Sequence, residues 1–277
     1  MEPYRGASFV APVADTFSIV TTVRNEERNL PPLLESIVIQ KPPLEVVIVD
    51  AYSADRTRDI ARSFAERYDF VHVYSEGGTR AAGRNYGVAK SAGGYVAFID
   101  GDCIASPFWL QHLRRGAERG DVIAGKTVQI GYRPFEDLER LELYRRGYDI
   151  TFPSCNLAYE RERFLSIGGF DPWFLTAEDI DLNLRAVDAG ARFVHAEDAI
   201  VYHRTRGSHF AFLKQAFWNG AGRKQLTLKH GRLWSSYRPS ELFHRQTNAY
   251  SLLRLSGALL GYLGYRMFGK PPPAKRS

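Results

Sequence analysis

Four apolar, β-branched segments within the first hundred residues, the first three each trailed by a helical pattern, constrain this chain more than any other feature. FSIVTTV (17–23), LEVVIV (44–49), FVHVY (70–74) and YVAFI (95–99) read as strands. Residues 29–40, with Pro31 near the start, read as an amphipathic helix. Residues 56–67 form another behind Ser53 as N-cap, and 80–91 a third, ended by Gly93-Gly94. Strand–helix alternation at this spacing predicts an α/β fold, a mostly parallel sheet with helices on both faces. Ligands of such sheets bind beyond the carboxyl ends of the strands. Thr22, Asp50 and Asp100 all fall at those ends.

The rest of the chain is less regular. Residues 121–130 read as a strand, 134–148 as a charged helix, and 154–159 as another strand followed by a short helix and a Gly168-Gly169 turn. A helix over 178–189 is expected behind a Thr176 cap, stopped at Gly190, and short strands at 192–195 and 199–203. The tail predicts two helices, 208–229 and about 246–268. The second is strongly apolar but is interrupted by Arg254 and Arg266, so its apolar run is shorter than the roughly 18–20 residues that span a bilayer. A helix lying in a membrane interface, or packed on the protein, fits that pattern.

Length and charge narrow the class. The 277 residues, 44% of them apolar, suffice for one large α/β domain with an appendage. Cys103 and Cys155 are too few and too far apart for a disulfide framework or a zinc site, which suits a reducing cytoplasm. No basic segment with an apolar core marks residues 1–17 as a signal peptide. Residues 204–277 carry fourteen Lys and Arg against one acid, Glu241, a net of +13, whereas residues 1–203 have a net of −7. A basic last quarter implies contact with anions: phosphates, an acidic membrane surface or nucleic acid.

FIDGDC (98–103) sets Asp100 and Asp102 two positions apart after a buried strand. Carboxylates that close repel unless one is protonated or a cation sits between them. Oxygen ligands without thiolates select Mg²⁺ or Mn²⁺ over zinc.

IVTTVRNEE (19–27), VIVDAYSADRTRDIA (47–61), GGTRAAGRNYGVAKSAGGYVAFIDGD (77–102) and GGFDPWFLTAEDIDLNLRA (168–186) occur in that order. Together they resemble the family 2 inverting glycosyltransferases of the GT-A fold, over about residues 17–205. The resemblance implies a GT-A, Rossmann-like sheet with a basic helical C-terminal extension. It divides the chain into an arm (1–16), a catalytic domain (17–205, the nucleotide-sugar part 17–102 and the acceptor part 103–205) and the extension (206–277). It implies transfer of a sugar from a nucleotide-diphosphate donor to a glycan or lipid-linked acceptor, with Mn²⁺ or Mg²⁺ on the diphosphate. Thr22, Arg24, Asp50, Arg80, Arg84 and Asp100 then bind the donor, the two arginines either closing over the nucleotide or holding its neighbouring acid. Asp102, Asp100 and His203 hold the metal, and Asp179 is the base, with Glu178 and Asp181 as competitors on the same helix. Arg204, Arg206 and Lys214 are candidates to clamp the diphosphate, and Asn156 and Trp173 to meet the acceptor. No Gln-x-x-Arg-Trp signature of processive synthases follows, so a single-transfer enzyme is expected. Arg24 and Ala51-Tyr52-Ser53-Ala54-Asp55 depart from the family pattern. The expected site of action is the cytoplasmic face of the cell membrane, with no nucleic-acid partner. The rival readings are a sugar-phosphate nucleotidyltransferase, which normally has a Gly-rich loop after the first strand, and a basic-tailed anion-binding module.

Overall fold

The computed structural model describes residues 16–42, 44–131, 141–205, 208–231, 233 and 249–271. Among these residues ten strands form the sheets: β1 Phe17–Val23, β2 Leu44–Asp50, β3 Val71–Ser75, β4 Tyr95–Phe98, β5 Cys103–Ala105, β6 Val122–Ile130, β7 Tyr144–Arg145, β8 Tyr148–Asp149, β9 Leu157–Glu160 and β10 Phe193–Arg204. The helices are α1 Leu30–Val38, α2 Thr57–Arg67, α3 Arg80–Lys90, α4 Trp109–Ala117, α5 Arg161–Ser166, α6 Glu178–Asp188, α7 His209–His230 and α8 Ala249–Phe268.

Eight strands make one sheet in the order β3-β2-β1-β4-β9-β6-β10-β5. The first four run parallel, as do β6 and β10, while β9 runs antiparallel to both β4 and β6. Val46 to Val49 are wholly buried, because a parallel strand covered on both faces has no solvent side. One face packs Leu30, Leu33 and Ile37 of α1, Phe64 of α2 and Trp109 and Leu113 of α4. The other packs Ala81 and Val88 of α3, Phe164 of α5 and Leu182 and Ala186 of α6. A third cluster joins Leu143, Ile150, Ile180, Leu184 and Leu226, docking α7 against α6.

Two glycines set how close α3 lies to the sheet. A Cβ at Gly87 would come 2.5 Å from Val20 Cγ1, and one at Gly83 2.9 Å from Thr22 Cγ2. Their absence of side chains brings the start of α3 down onto the end of β1.

Several expected elements differ. The helix over 134–148 is not found in its described part: residues 144–149 form a β7–β8 hairpin, and 132–140 lie outside the described residues. Arg146 (φ 49°) and Gly147 (φ 85°) make the left-handed pair of a tight two-residue turn, which a helix cannot accommodate. The strand expected from 154 begins at Leu157, after a single 3₁₀ turn. The two short strands at 192–203 are one, β10, with a register shift between Ala196 and Ile200. Neither Ser53 nor Thr176 caps a helix. Ser53 Oγ accepts from the Asn25 backbone N–H (2.9 Å), and Thr176 Oγ1 donates to Trp218 O (2.8 Å). Among the described residues no helix is long and apolar enough to cross a membrane.

Candidate active site

The loops beyond β1, β2 and β4, the start of α6 and one side of α7 enclose a cleft of about 580 Å³, within the range of small-molecule sites. Thr22, Arg24, Arg80, Asp100, Asp102, Glu178, Asp179 and His203 all line it. Residues expected from three of the four motifs, with His203 from β10, thus meet in one place.

β5 and β10 pair antiparallel, which sets Cys103 opposite His203 and carries Asp102 beside the imidazole. His203 Nε2 lies 3.3 Å from Asp102 Oδ1, and its Nδ1 lies 3.1 Å from Gln129 Oε1. An amide oxygen can only accept, so Nδ1 carries the hydrogen and Nε2 is turned toward Asp102. Burial works against the charged imidazole, yet the Asp102 hydrogen bond and surrounding negative charge raise its pKa to about 9. This pocket favours positive charge.

Donor atoms of Asp102, Cys103 and His203 lie within 4.8 Å of one another. The Cys155 hydrogen bond and burial push the Cys103 thiol far up, so it favours the neutral thiol, the poorest ligand of the three. The carboxylate and the imidazole make an O/N pair able to hold a divalent cation, with the far ring nitrogen already fixed as metal-binding histidines require. Asp100, expected as a second ligand, is not in that cluster. Its Oδ1 accepts from Arg84 at 2.6 Å. Burial raises this carboxyl, but Arg84, Arg80 and His203 together hold it below the usual range.

Arg84 does not line the cleft. It is 1% exposed, its Nη1 donating to Glu178 Oε1 (2.8 Å) and its Nη2 to Asp100, so it is a strut between α6 and the end of β4 that holds the acid rather than closing over the cleft. Arg80, one turn earlier, is exposed in the cleft, 3.8 Å from Glu178 Oε1.

α6 starts after Ala177, held at φ 66° with no side-chain cap. This left-handed alanine costs about 1–2 kcal/mol and aims the first turn at the cleft. Asp179 accepts from the Ser154 and Ile180 backbone N–H groups (3.2 and 2.8 Å). Burial and the Glu178 charge raise its pKa to about 6, against the pull of Arg84 and those two N–H groups. Asp181 turns away from the cleft. It is fully buried between Arg185 (2.7 Å), Lys229 (2.8 Å) and His230 (2.7 Å), which ties α6 to the end of α7.

Other expected residues sit elsewhere. Asp50 is 1% exposed and accepts from the Ser53 N–H through both oxygens (3.2 and 3.3 Å), so it shapes the turn that presents Ala51 to the cleft. Asn156 is fully buried, accepting from Trp109 Nε1 and donating to Lys126 O and Ala199 O, and cannot touch an acceptor. Trp173 packs edge-on against Phe174 and Tyr265, outside the cleft lining. Arg204 ends β10 without reaching the cleft, Lys214 lines an adjoining groove beside Trp218, and Arg206 lies outside the described residues. Unanticipated members are Gln129, Ser154, Gln215 and Asn219. The last two stand four apart on α7, and Arg223 four further on, a polar stripe readable as one helix face.

Residues 18–169 match the domain family described as Glycosyl transferase family 2. The glycosyltransferase AglE of Haloferax volcanii is 29% identical over 226 residues, which cover 76% of this chain and 73% of that protein. Further curated relatives are matched over about half of their length, 56% and 48% in two cases. Among solved structures, TarS 1–349 of S. aureus in complex with UDP-GlcNAc aligns with a TM-score of 0.61 at 20% identity, over 88% of this chain and 79% of that one. The mannosyltransferase PcManGT of Pyrobaculum calidifontis, in complex with GDP-Man and Mn²⁺, aligns with a TM-score of 0.63 at 18% identity, over 92% and 76%. At these identities the likeness to the two structures is one of fold.

Proposed function

The chain belongs to glycosyl transferase family 2, and from that premise we propose that it moves a sugar, with inversion, from a nucleoside-diphosphate donor to a hydroxyl of a glycan or lipid-linked acceptor. One observation carries the reading: the Asp102–His203 pair and the Asp179 carboxylate line the same cleft. The two neighbours that bind UDP-GlcNAc and GDP-Man with Mn²⁺ support the donor class and the cation.

Asp102 and His203 are the residues that would hold a divalent cation. When bound, such an ion acts as a Lewis acid on the leaving diphosphate. The nucleoside end of the donor would lie along Thr22, Arg24 and Ala51, at the tips of β1 and β2. Arg80 and Arg223 face the cleft from α3 and α7 and would meet the diphosphate with charge-assisted hydrogen bonds. The acceptor hydroxyl attacks the anomeric carbon from the face opposite the diphosphate. Its proton passes to Asp179 as the new C–O bond forms and the old one breaks, the electron pair leaving on the diphosphate. With a pKa of about 6, Asp179 is ionised at neutral pH and still basic enough to take that proton. The Ser154 and Ile180 N–H groups hold it in orientation. Glu178 is a weaker candidate for base, because its Oε1 is already committed to Arg84.

The test is a donor screen with UDP-, GDP- and dTDP-sugars and Mn²⁺, reading released nucleoside diphosphate and the anomer of the product by NMR. Asp179→Asn should lower turnover about 10²–10⁴-fold while donor binding persists, and Asp102→Asn should weaken Mn²⁺-dependent donor binding itself. Turnover preserved in Asp179→Asn, or a product of retained configuration, would overturn the mechanism.

A further inference from the structure

We propose that α8 is a docking element that lays its outer face on an anionic lipid surface. At 100° per residue, Leu252, Leu253, Leu255, Leu259, Leu260, Leu263 and Met267 fall within an arc of about 160°. All seven are exposed, Leu260 at 64% and Met267 at 68%. Ser256 shares the arc, but its hydroxyl donates to Leu252 O at 2.9 Å and so presents no unpaired donor.

The opposite side of α8 explains why these side chains face outward. α7 and α8 run side by side in the same direction, His209 stacking on Tyr250 and Lys224 lying over Tyr262. Their seam is backbone against backbone. A Cβ at Gly220 would come 1.8 Å from Ala258 O, and one at Gly261 1.8 Å from Phe217 O. Small residues make the helix–helix contact, and the leucines are left on the far side. No described residue of α8 lines the cleft, which α7 meets through Gln215, Asn219 and Arg223. Docking through α8 therefore leaves the cleft uncovered.

Charge selects the occupant. No Asp or Glu occurs from residue 242 to 277, and the last quarter of the chain carries +13. Arg266, near one edge of the arc, and Lys270 just beyond the helix are exposed and long enough to reach headgroups while their stems stay in the apolar zone. A second copy of this chain would bring two such basic surfaces together. An anionic bilayer satisfies the leucines and the cations at once, and a helix of 20 residues that does not span is suited to lie in the interface plane.

The experiment is flotation of the full chain with vesicles of phosphatidylcholine alone and of phosphatidylcholine mixed with phosphatidylglycerol, at low and high salt. Flotation with the anionic vesicles, weakened by salt, is expected. The double variant Leu255→Glu, Leu259→Glu should lose it at least about tenfold with an unchanged melting midpoint, since both side chains are exposed. Arg266→Ser with Lys270→Ser should weaken the anionic preference by about ten- to thirtyfold. No flotation, equal flotation of the leucine variant, or a dimer in sedimentation that this variant dissociates would each overturn the proposal. Because flotation is read without turnover, either outcome leaves the glycosyl-transfer reading to stand or fall on its own test.

Discussion

Replacing Arg84 by glutamine tests whether one buried cation ties the two walls of the cleft together. Its guanidinium makes two charge-assisted bonds, to Asp100 at 2.6 Å and to Glu178 at 2.8 Å, and lies 5.3 Å from the Phe170 ring centroid. Glutamine keeps most of the aliphatic stem but no charge, so two carboxylates from different elements are left facing each other. Each lost bond is worth about 1.5–3 kcal/mol, and removing one partner of a buried ion pair costs about 3–5 kcal/mol in all. At about 2–4 °C per kcal/mol for a chain of this size, the melting midpoint should fall by about 6–20 °C.

The loss should also depend on pH in a defined direction. Asp100 has a folded pKa below its unfolded value of 3.8. The stability it contributes is therefore complete above 3.8 and is lost as pH falls through the lower folded value. Without Arg84 that contribution is missing at neutral pH, and acid relieves the stranded carboxylates by protonating them. The deficit of Arg84→Gln against the parent chain should be largest near pH 7 and shrink toward about pH 4. Thermal melts followed by circular dichroism across that range measure it. A midpoint within about 2 °C of the parent, or a deficit that acid leaves constant, would refute the strut.

Three further outcomes are expected. The profile of kcat/KM should rise with pH through an apparent pKa near 6, the value to which burial and Glu178 raise Asp179, because only its ionised form accepts the acceptor proton; a flat profile between about pH 5 and 8 contradicts this. Gln129→Ala removes the acceptor that fixes His203 Nδ1 and should weaken Mn²⁺ binding by about 10–100-fold in calorimetry, with little change in stability. Asn156→Ala breaks three buried hydrogen bonds and should cost about 2–4 kcal/mol in denaturant melts while leaving the acceptor KM unchanged.

What was legible in the sequence follows from how local each signal is. The first four strands could be read because burial on both faces forces unbroken apolar runs such as Val46–Val49. The convergence of Thr22, Asp100 and Asp102 could be read because parallel strands deliver their ends to one edge. Asp50 shares that edge, but its side chain folds back onto the Ser53 amide, a choice made by the turn and invisible in the strand pattern. Ser53, Thr176 and Asn156 were misread for a common reason. Their partners are Asn25, Trp218 and Trp109, from 28 to 47 residues away, so no neighbouring residue announces them. The 144–149 hairpin failed differently: its Arg146-Gly147 turn sat inside a charged stretch whose composition suits a helix. Gln129 carried no signal at all, being one polar residue on a strand until β10 brings His203 beside it.

The first turn of α6 shows why spacing alone could not choose among its acids. Glu178, Asp179 and Asp181 share one helix terminus and hence one dipole, which favours negative charge equally at all three. Their neighbours separate them. Glu178 is held by Arg84 from α3, and Asp181 by Arg185, Lys229 and His230. Burial alone would raise the Asp181 carboxyl, yet that cage brings it down to about 2, where it accepts no proton at working pH. Asp179 receives two backbone N–H groups, the nearby Glu178 charge and a lesser pull from Arg84, and rises to about 6. The cations of this region thus act mainly by occupying the other two carboxylates. Of the two α6 acids that line the cleft, Asp179 is the one left without a cation bonded to it, which is how neighbouring acids in other sites come to hold different protonation states, and the proposed base rests on that difference.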